Sequence, residues 1–149
     1  MAAPTGLVDC DVHVFCPGTE PLVPYLNDHW ADIVRTRGID RMELASYPEK
    51  VPFCSRPDWR GADGAPGGDI DTMRAMLDRW GTRYAIVHCL HGAQALFSED
   101  LGGALVSAVN DWIAAEWLDR ESRLRASILV HALNPQVAAE EIERRAGDR

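Results

Sequence analysis

The chain has 149 residues, a net charge of −8 and 46% hydrophobic residues, with a single lysine, Lys50. That apolar content is enough for a core and argues against wholesale disorder, while the acidic balance excludes a nucleic-acid reader, which needs a basic face. No stretch approaches the roughly 20 apolar residues of a membrane span, and the N-terminus lacks the charged-then-apolar pattern of a secretory signal.

In chain order, Leu7 to Phe15 (LVDCDVHVF) reads as the first strand. Alternation places Asp9, Asp11 and His13 on one face and Val8, Cys10, Val12 and Val14 on the other. Pro21 to Arg37 reads as one or two short helices. Gly38 to Gly68 is rich in proline, glycine and charge, and so long a connection is usually functional or disordered. Trp30 and Trp59 favour order, so residues 16–68 are expected to form a lid over the carboxyl ends of the strands, near His13. A helix follows, capped by Asp69, with Ile70, Met73, Leu77 and Trp80 at helical spacing and Gly81 as its left-handed stop. Tyr84 to Leu90 is nearly continuous in apolar character, as in a strand covered on both faces. Ser98 is placed to cap the next helix, whose inner stripe is Leu101, Leu105, Ala108, Val109 and Trp112. Leu124 to Val130 is the third strand. Asn134-Pro135 opens the last helix, with Ala138, Ile142 and Ala146 inward and Gly147 at its end. Strands alternating with helices predict an α/β fold with parallel strands in sequential order and right-handed crossovers. The four cysteines, Cys10, Cys16, Cys54 and Cys89, form no C-x-x-C pair. Cys10 and Cys89 read as buried thiols in a reducing compartment, the cytoplasm.

Two carboxylates and an imidazole on an interior face are costly unless something pairs them, and a divalent cation does so. An oxygen of Asp11 and a nitrogen of His13 can converge on one ion at about 2.0–2.2 Å each. D-x-H also occurs on ordinary surface strands, but the carboxyl end of a first strand is where a parallel barrel keeps its chemistry. His88 reads equally as a polar group beside such a site and as a satisfied core histidine. His91 and His131 are not assigned as ligands, and His29 reads as a solvated helix residue. Arg56 and Arg60 can meet a substrate carboxylate, since guanidinium suits bidentate recognition, although a solvated loop arginine is the commoner outcome. Trp112 and Trp117 read as core, and Asn110 and Asp111 as helix-to-loop hydrogen-bonding residues.

The segment DCDVHVFCPGTEPLVPYLNDHW resembles the start of the amidohydrolase-related family that includes the aminocarboxymuconate-semialdehyde decarboxylase-like enzymes. GGDIDTMRAMLDRWGTRYAIVHCL and AVNDWIAAEWLDRESRLRASILVHALNPQVAAEEIERR resemble the rest of that family's N-terminal half. The resemblance implies a (β/α)8 TIM barrel with one metal ion, zinc first and manganese second. It makes Asp11 and His13 the two ligands from the first strand. It further implies hydrolysis of an amide, ester or related bond, or non-oxidative decarboxylation, of a small carboxylated or cyclic compound. Asp11 stands where many members have histidine, which leaves the metal's identity open, and Glu121-Ser122 replaces a proline-containing turn. The family's other ligands, two histidines and a late aspartate, have no counterpart here. Residues 1–149 are therefore expected to be the N-terminal part of one barrel domain, comprising its first three β/α units and inactive alone.

Two alternatives remain. The chain is a non-catalytic truncated product, or a subunit needing a complementing chain or a homo-oligomer. Asp9-x-Asp11 also resembles the haloacid-dehalogenase-like phosphatases. That motif has Thr or Val where His13 stands, and it needs a later lysine or arginine for the phosphoryl group. No lysine follows Lys50.

Overall fold

A computed structural model describes residues 6–42, 55–61, 64 and 67–148. Part of the proposed lid, residues 43–54, 62, 63, 65 and 66, lies outside the described residues, Cys54 with it. Strands β1 (Leu7–Phe15), β2 (Thr82–Leu90) and β3 (Leu124–Ala126) form a parallel sheet in the order β1-β2-β3. The sequential parallel order is the one expected. Among the described residues the sheet is open, with β1 and β3 as its edges, and it does not close into a barrel.

The core forms where the apolar face of β2 meets the helices. Ala85, Val87 and Leu124 are fully buried, together with Met73 and Leu77 of α2 (Ile70–Trp80) and Leu105, Val106, Ala108 and Val109 of α3 (Glu99–Ile113). Burying each such leucine contributes about 1.5–3 kcal/mol relative to leaving it exposed. Trp112 and Trp117 join this core edge to face, with ring centroids 6.3 Å apart. No helix of the described residues is long and apolar enough to cross a membrane.

The boundary signals of two helices act as their chemistry dictates. In α1 (Asp28–Arg37) the Asn27 side chain accepts from the Trp30 N–H at 3.0 Å. In α2 the Asp69 carboxylate accepts from the Thr72 N–H at 2.8 Å, and Gly81 ends the helix at φ 62°, where a side chain would be strained. Ser98 precedes α3 but makes no capping hydrogen bond, so the positive end of that helix rests on Glu99 and Asp100.

On the far side of the sheet, β3 and the last helix differ from expectation. β3 stops at Ala126 instead of Val130. Ser127 N–H still reaches the Val87 carbonyl at 3.0 Å, and then the side-chain amide of Asn110 takes over. Its Oδ1 accepts from Leu129 N–H at 3.0 Å and its Nδ2 donates to the Leu129 carbonyl at 2.9 Å. An amide on α3 thus does for Leu129 what a neighbouring strand would have done.

The second difference is the phase of α4 (Pro135–Arg145). Asn134 caps it as expected, accepting from Gln136 and Val137 N–H at 3.1 Å each. Its inner face, however, is not the Ala138, Ile142, Ala146 stripe, because Ile142 and Ala146 are exposed and Glu141 is buried. The Glu141 carboxylate accepts from Ser107 Oγ at 2.7 Å, Asn110 Nδ2 at 2.7 Å and Arg144 at 2.7 and 2.8 Å. Burial acts to raise its pKa, but the hydrogen bonds from Arg144, Ser107 and Asn110 outweigh it and hold the carboxyl below its ordinary value. Asp111 completes the interface by pairing with Arg144 at 2.9 Å and with Arg145. α4 is therefore docked by a buried polar network.

Candidate functional site

The geometry of the site is set by an irregularity in β1. Asp9 pairs with Ala85 and Val12 with Val87, so three residue steps on β1 face two on β2. Residues paired across strands share a face. Asp9 therefore lies on the face of Ala85, Val87 and Val12, whereas His13, paired with His88, lies on the other. The single face expected for Asp9, Asp11 and His13 is not what forms, because the extra residue at Cys10–Asp11 resets the alternation. Val8 and Cys10, expected beneath the helices, are exposed, and Cys10 carries a free, accessible thiol. Cys89 is a free thiol that burial pushes well above its ordinary pKa.

Asp11, in the bulge, and His13, just after it, lie together. Asp11 Oδ1 lies 3.0 Å from His13 Nε2, with the aspartate side chain 76% exposed and the histidine 29%. The Asp11 N–H donates to Asp9 Oδ1 at 3.2 Å. Two donors on one ion at about 2.0–2.2 Å, with a bite between a right angle and a tetrahedral one, sit about 3.0–3.5 Å apart. The pair fits such an ion in donor type and in spacing. It is short in number, for among the described residues no group of three or more His, Cys, Asp or Glu is placed to hold a metal.

His88 stands beside the pair, its ring centroid 6.2 Å from that of His13 and nearly perpendicular to it. Its Nε2 is 3.0 Å from the Cys10 carbonyl oxygen and its Nδ1 2.8 Å from Ser127 Oγ. A carbonyl only accepts, so Nε2 carries the hydrogen, and in the neutral ring Nδ1 accepts from the serine hydroxyl. His91 and His131 are buried. His91 Nδ1 accepts from Ala93 N–H at 3.3 Å, and burial lowers its pKa to about 4. His131 donates through Nε2 to the Leu96 carbonyl at 2.9 Å. His29 is exposed on α1, edge-on to Trp30.

A cavity of about 380 Å³ opens along the edge of this part of β1, lined by Asp9, Asp11 and His13 and by Met73 and Trp80 of α2 as an apolar wall. The long segment reaches it through Trp59, whose indole N–H donates to the His13 carbonyl at 3.2 Å. Arg56 lines the same cavity with its fork on Asp58 at 2.9 and 2.7 Å and its guanidinium 5.9 Å from the Trp80 ring. Those hydrogen bonds hold the Asp58 carboxyl below its ordinary pKa. Arg60 points elsewhere, to the carbonyls of Gly64 at 3.1 Å and Ser55 at 3.4 Å. The sequence reading did not single out Asp58, Met73, Trp80 or Ser127 as site residues. Asp58 follows Arg56 by two residues, which is a readable signal for a local pair. Ser127 carries none, because its partner comes from another strand.

No protein-family model and no curated protein matches the chain. Among solved structures, the fold is similar to that of an amidohydrolase from Mycobacterium avium subsp. paratuberculosis K-10, with a TM-score of 0.64 and 16% sequence identity. That match covers 97% of this chain and 47% of the amidohydrolase, so the chain spans about half the length of its structural neighbour.

Proposed function

We propose that these residues are the front part of a metal-dependent hydrolase barrel of the amidohydrolase type, with Asp11 and His13 as two ligands of one divalent cation. The observation that carries this reading is the 3.0 Å approach of Asp11 Oδ1 to His13 Nε2, late in β1. Parallel barrels keep their chemistry at the carboxyl ends of the strands, and the likeness of fold to an amidohydrolase supports reading β1 as a strand of such a barrel. Zinc is the expected ion and manganese the second, since a carboxylate and an imidazole suit either. When bound, such an ion polarises a carbonyl or activates water.

The remaining contributions of the chain are positional. Asp9 holds the backbone of Asp11, and Trp59 ties the long segment to the backbone of His13. Met73 and Trp80 keep water from one wall of the cavity. Arg56 directs Nε and Nη2 to Asp58, leaving Nη1 to meet a substrate carboxylate. The substrate is a small carboxylated or cyclic compound, and the reaction is amide or ester hydrolysis or non-oxidative decarboxylation. The other ligands and the general base come from further strands, on the same polypeptide or on a complementing chain.

Calorimetric titration with zinc and manganese tests the assignment. Two donors hold an ion weakly, because working sites use three or four, so the chain should bind with low affinity and Asp11→Ala or His13→Ala should abolish even that. Variants that bind as well as the parent would remove both residues from the site. Tight, stoichiometric binding by the chain alone would mean that His88, His91 or His131 completes a local site, and the division between front and rear parts would be wrong.

A further inference from the structure

We propose that His88, braced by Ser127, is the positioning residue that holds the bulge peptide and so fixes Asp11 against His13. The inference rests on the metal reading above, but it stands on different atoms. A bulge leaves the backbone groups of its extra residue out of the strand ladder, and Cys10 and Asp11 have no register partners on β2. The peptide that joins them is held from both ends by side chains. Its carbonyl, on Cys10, receives His88 Nε2–H at 3.0 Å, and its N–H, on Asp11, donates to Asp9 Oδ1 at 3.2 Å.

A peptide unit is planar, so holding its oxygen and its nitrogen holds the plane and the Asp11 Cα from which the side chain departs. Ser127, just beyond β3, holds the other ring nitrogen of His88 at 2.8 Å. One imidazole therefore spans the sheet from the end of β3 to the bulge in β1. The same ring stands edge-on to His13 at 6.2 Å and limits how the His13 imidazole turns. Without the brace, the Cys10–Asp11 peptide is free to rotate, and the Asp11 carboxylate is no longer held against the His13 imidazole.

The test uses manganese and the chain as it exists. Paramagnetic broadening of the Asp11 and His13 resonances reads weak binding directly. His88→Leu removes both hydrogen bonds and should weaken the manganese midpoint by about 10- to 100-fold, the usual effect of losing a residue that orients a ligand. His88→Gln can still donate to the Cys10 carbonyl and should recover most of that loss. Ser127→Ala should weaken binding less than His88→Leu does. A merely structural role would lower the melting temperature and leave the midpoint where it was, and that result would overturn the proposal.

A second readout needs no metal. Hydrogen exchange at the Asp11 amide should accelerate in His88→Leu while β2 stays protected, and unchanged exchange there would also overturn the brace. If the parent shows no broadening at His13, the metal reading fails by itself and the exchange measurement still decides the brace. Should His88→Leu not fold, Ser127→Ala, at an exposed side chain, carries both comparisons.

Discussion

Replacing Asn110 by alanine removes the amide that joins α3 to both the strand exit at Leu129 and the buried carboxylate of α4. Three hydrogen bonds go with it: Leu129 N–H to Oδ1 at 3.0 Å, Nδ2 to the Leu129 carbonyl at 2.9 Å, and Nδ2 to Glu141 Oε1 at 2.7 Å. A neutral hydrogen bond contributes about 1 kcal/mol net and one to a charged group about 1.5–3 kcal/mol. Leu129 is half-buried, so water recovers part of its loss, whereas Glu141 is buried and keeps only Ser107 and Arg144. The expected cost is about 3–4 kcal/mol, a large share of the roughly 5–15 kcal/mol that holds a domain of ordinary stability. Urea unfolding followed by tryptophan fluorescence and circular dichroism measures it, and the Leu129 amide should lose its exchange protection at the same time. Asn110→Asp keeps an acceptor for Leu129 N–H but sets a second negative charge against Glu141. It should be at least as unstable at neutral pH and partly relieved on acidification. A loss below about 1 kcal/mol for Asn110→Ala, with an unchanged denaturant slope, would refute the idea that this amide carries the end of β3 and the docking of α4.

Gly102→Ala should destabilise the chain even though alanine is the better helix former by about 1 kcal/mol. Its Cβ would lie 2.4 Å from Nε2 of His131, which is 1% exposed, and thermal melts should show a net loss of about 1–2 kcal/mol once propensity offsets part of the overpacking. His91 supplies a pH dependence. Its native pKa is lowered by burial to about 4, against about 6.5 unfolded, so its contribution is complete above pH 6.5 and is lost as pH falls from 6.5 towards 4. Urea melts across that window should show a decline of about 3 kcal/mol from this group. His91→Asn, which keeps an acceptor near the Nδ1 position, should flatten the slope, and an equally steep variant would refute the assignment.

What was legible in the sequence was local. Asp69 and Gly81 bound α2 because a carboxylate cap and a left-handed glycine act within a few residues of themselves. β1 was legible for the same reason. The bulge was not, because D-C-D-V-H alternates perfectly on paper and only the register with Ala85 and Val87 shows where the phase breaks. β3 reads as seven residues, LRASILV, since nothing in that run announces that an asparagine on α3 will replace the ladder at Leu129. On α4, apolar spacing pointed to Ile142. The buried Glu141 is explained only by Ser107, Asn110 and Arg144 gathering around it. The Asp11–His13 pair was visible as residue types at the right spacing, but the His88 contact to the Cys10 carbonyl was not, because it comes from the partner strand.

The break at Cys10–Asp11 also governs what β1 will accept as a neighbour. As an edge strand among the described residues, with Leu7 and Val8 exposed, β1 has the apolar character on which stray segments stack and precipitate. An incoming strand must match an evenly spaced series of N–H and C=O groups, and that series is interrupted where the extra residue sits. The carboxylates of Asp9 and Asp11 flank the interruption, so an ordinary β-prone segment meets both a register fault and negative charge. The fault and the two carboxylates work against edge-to-edge pairing by a generic strand.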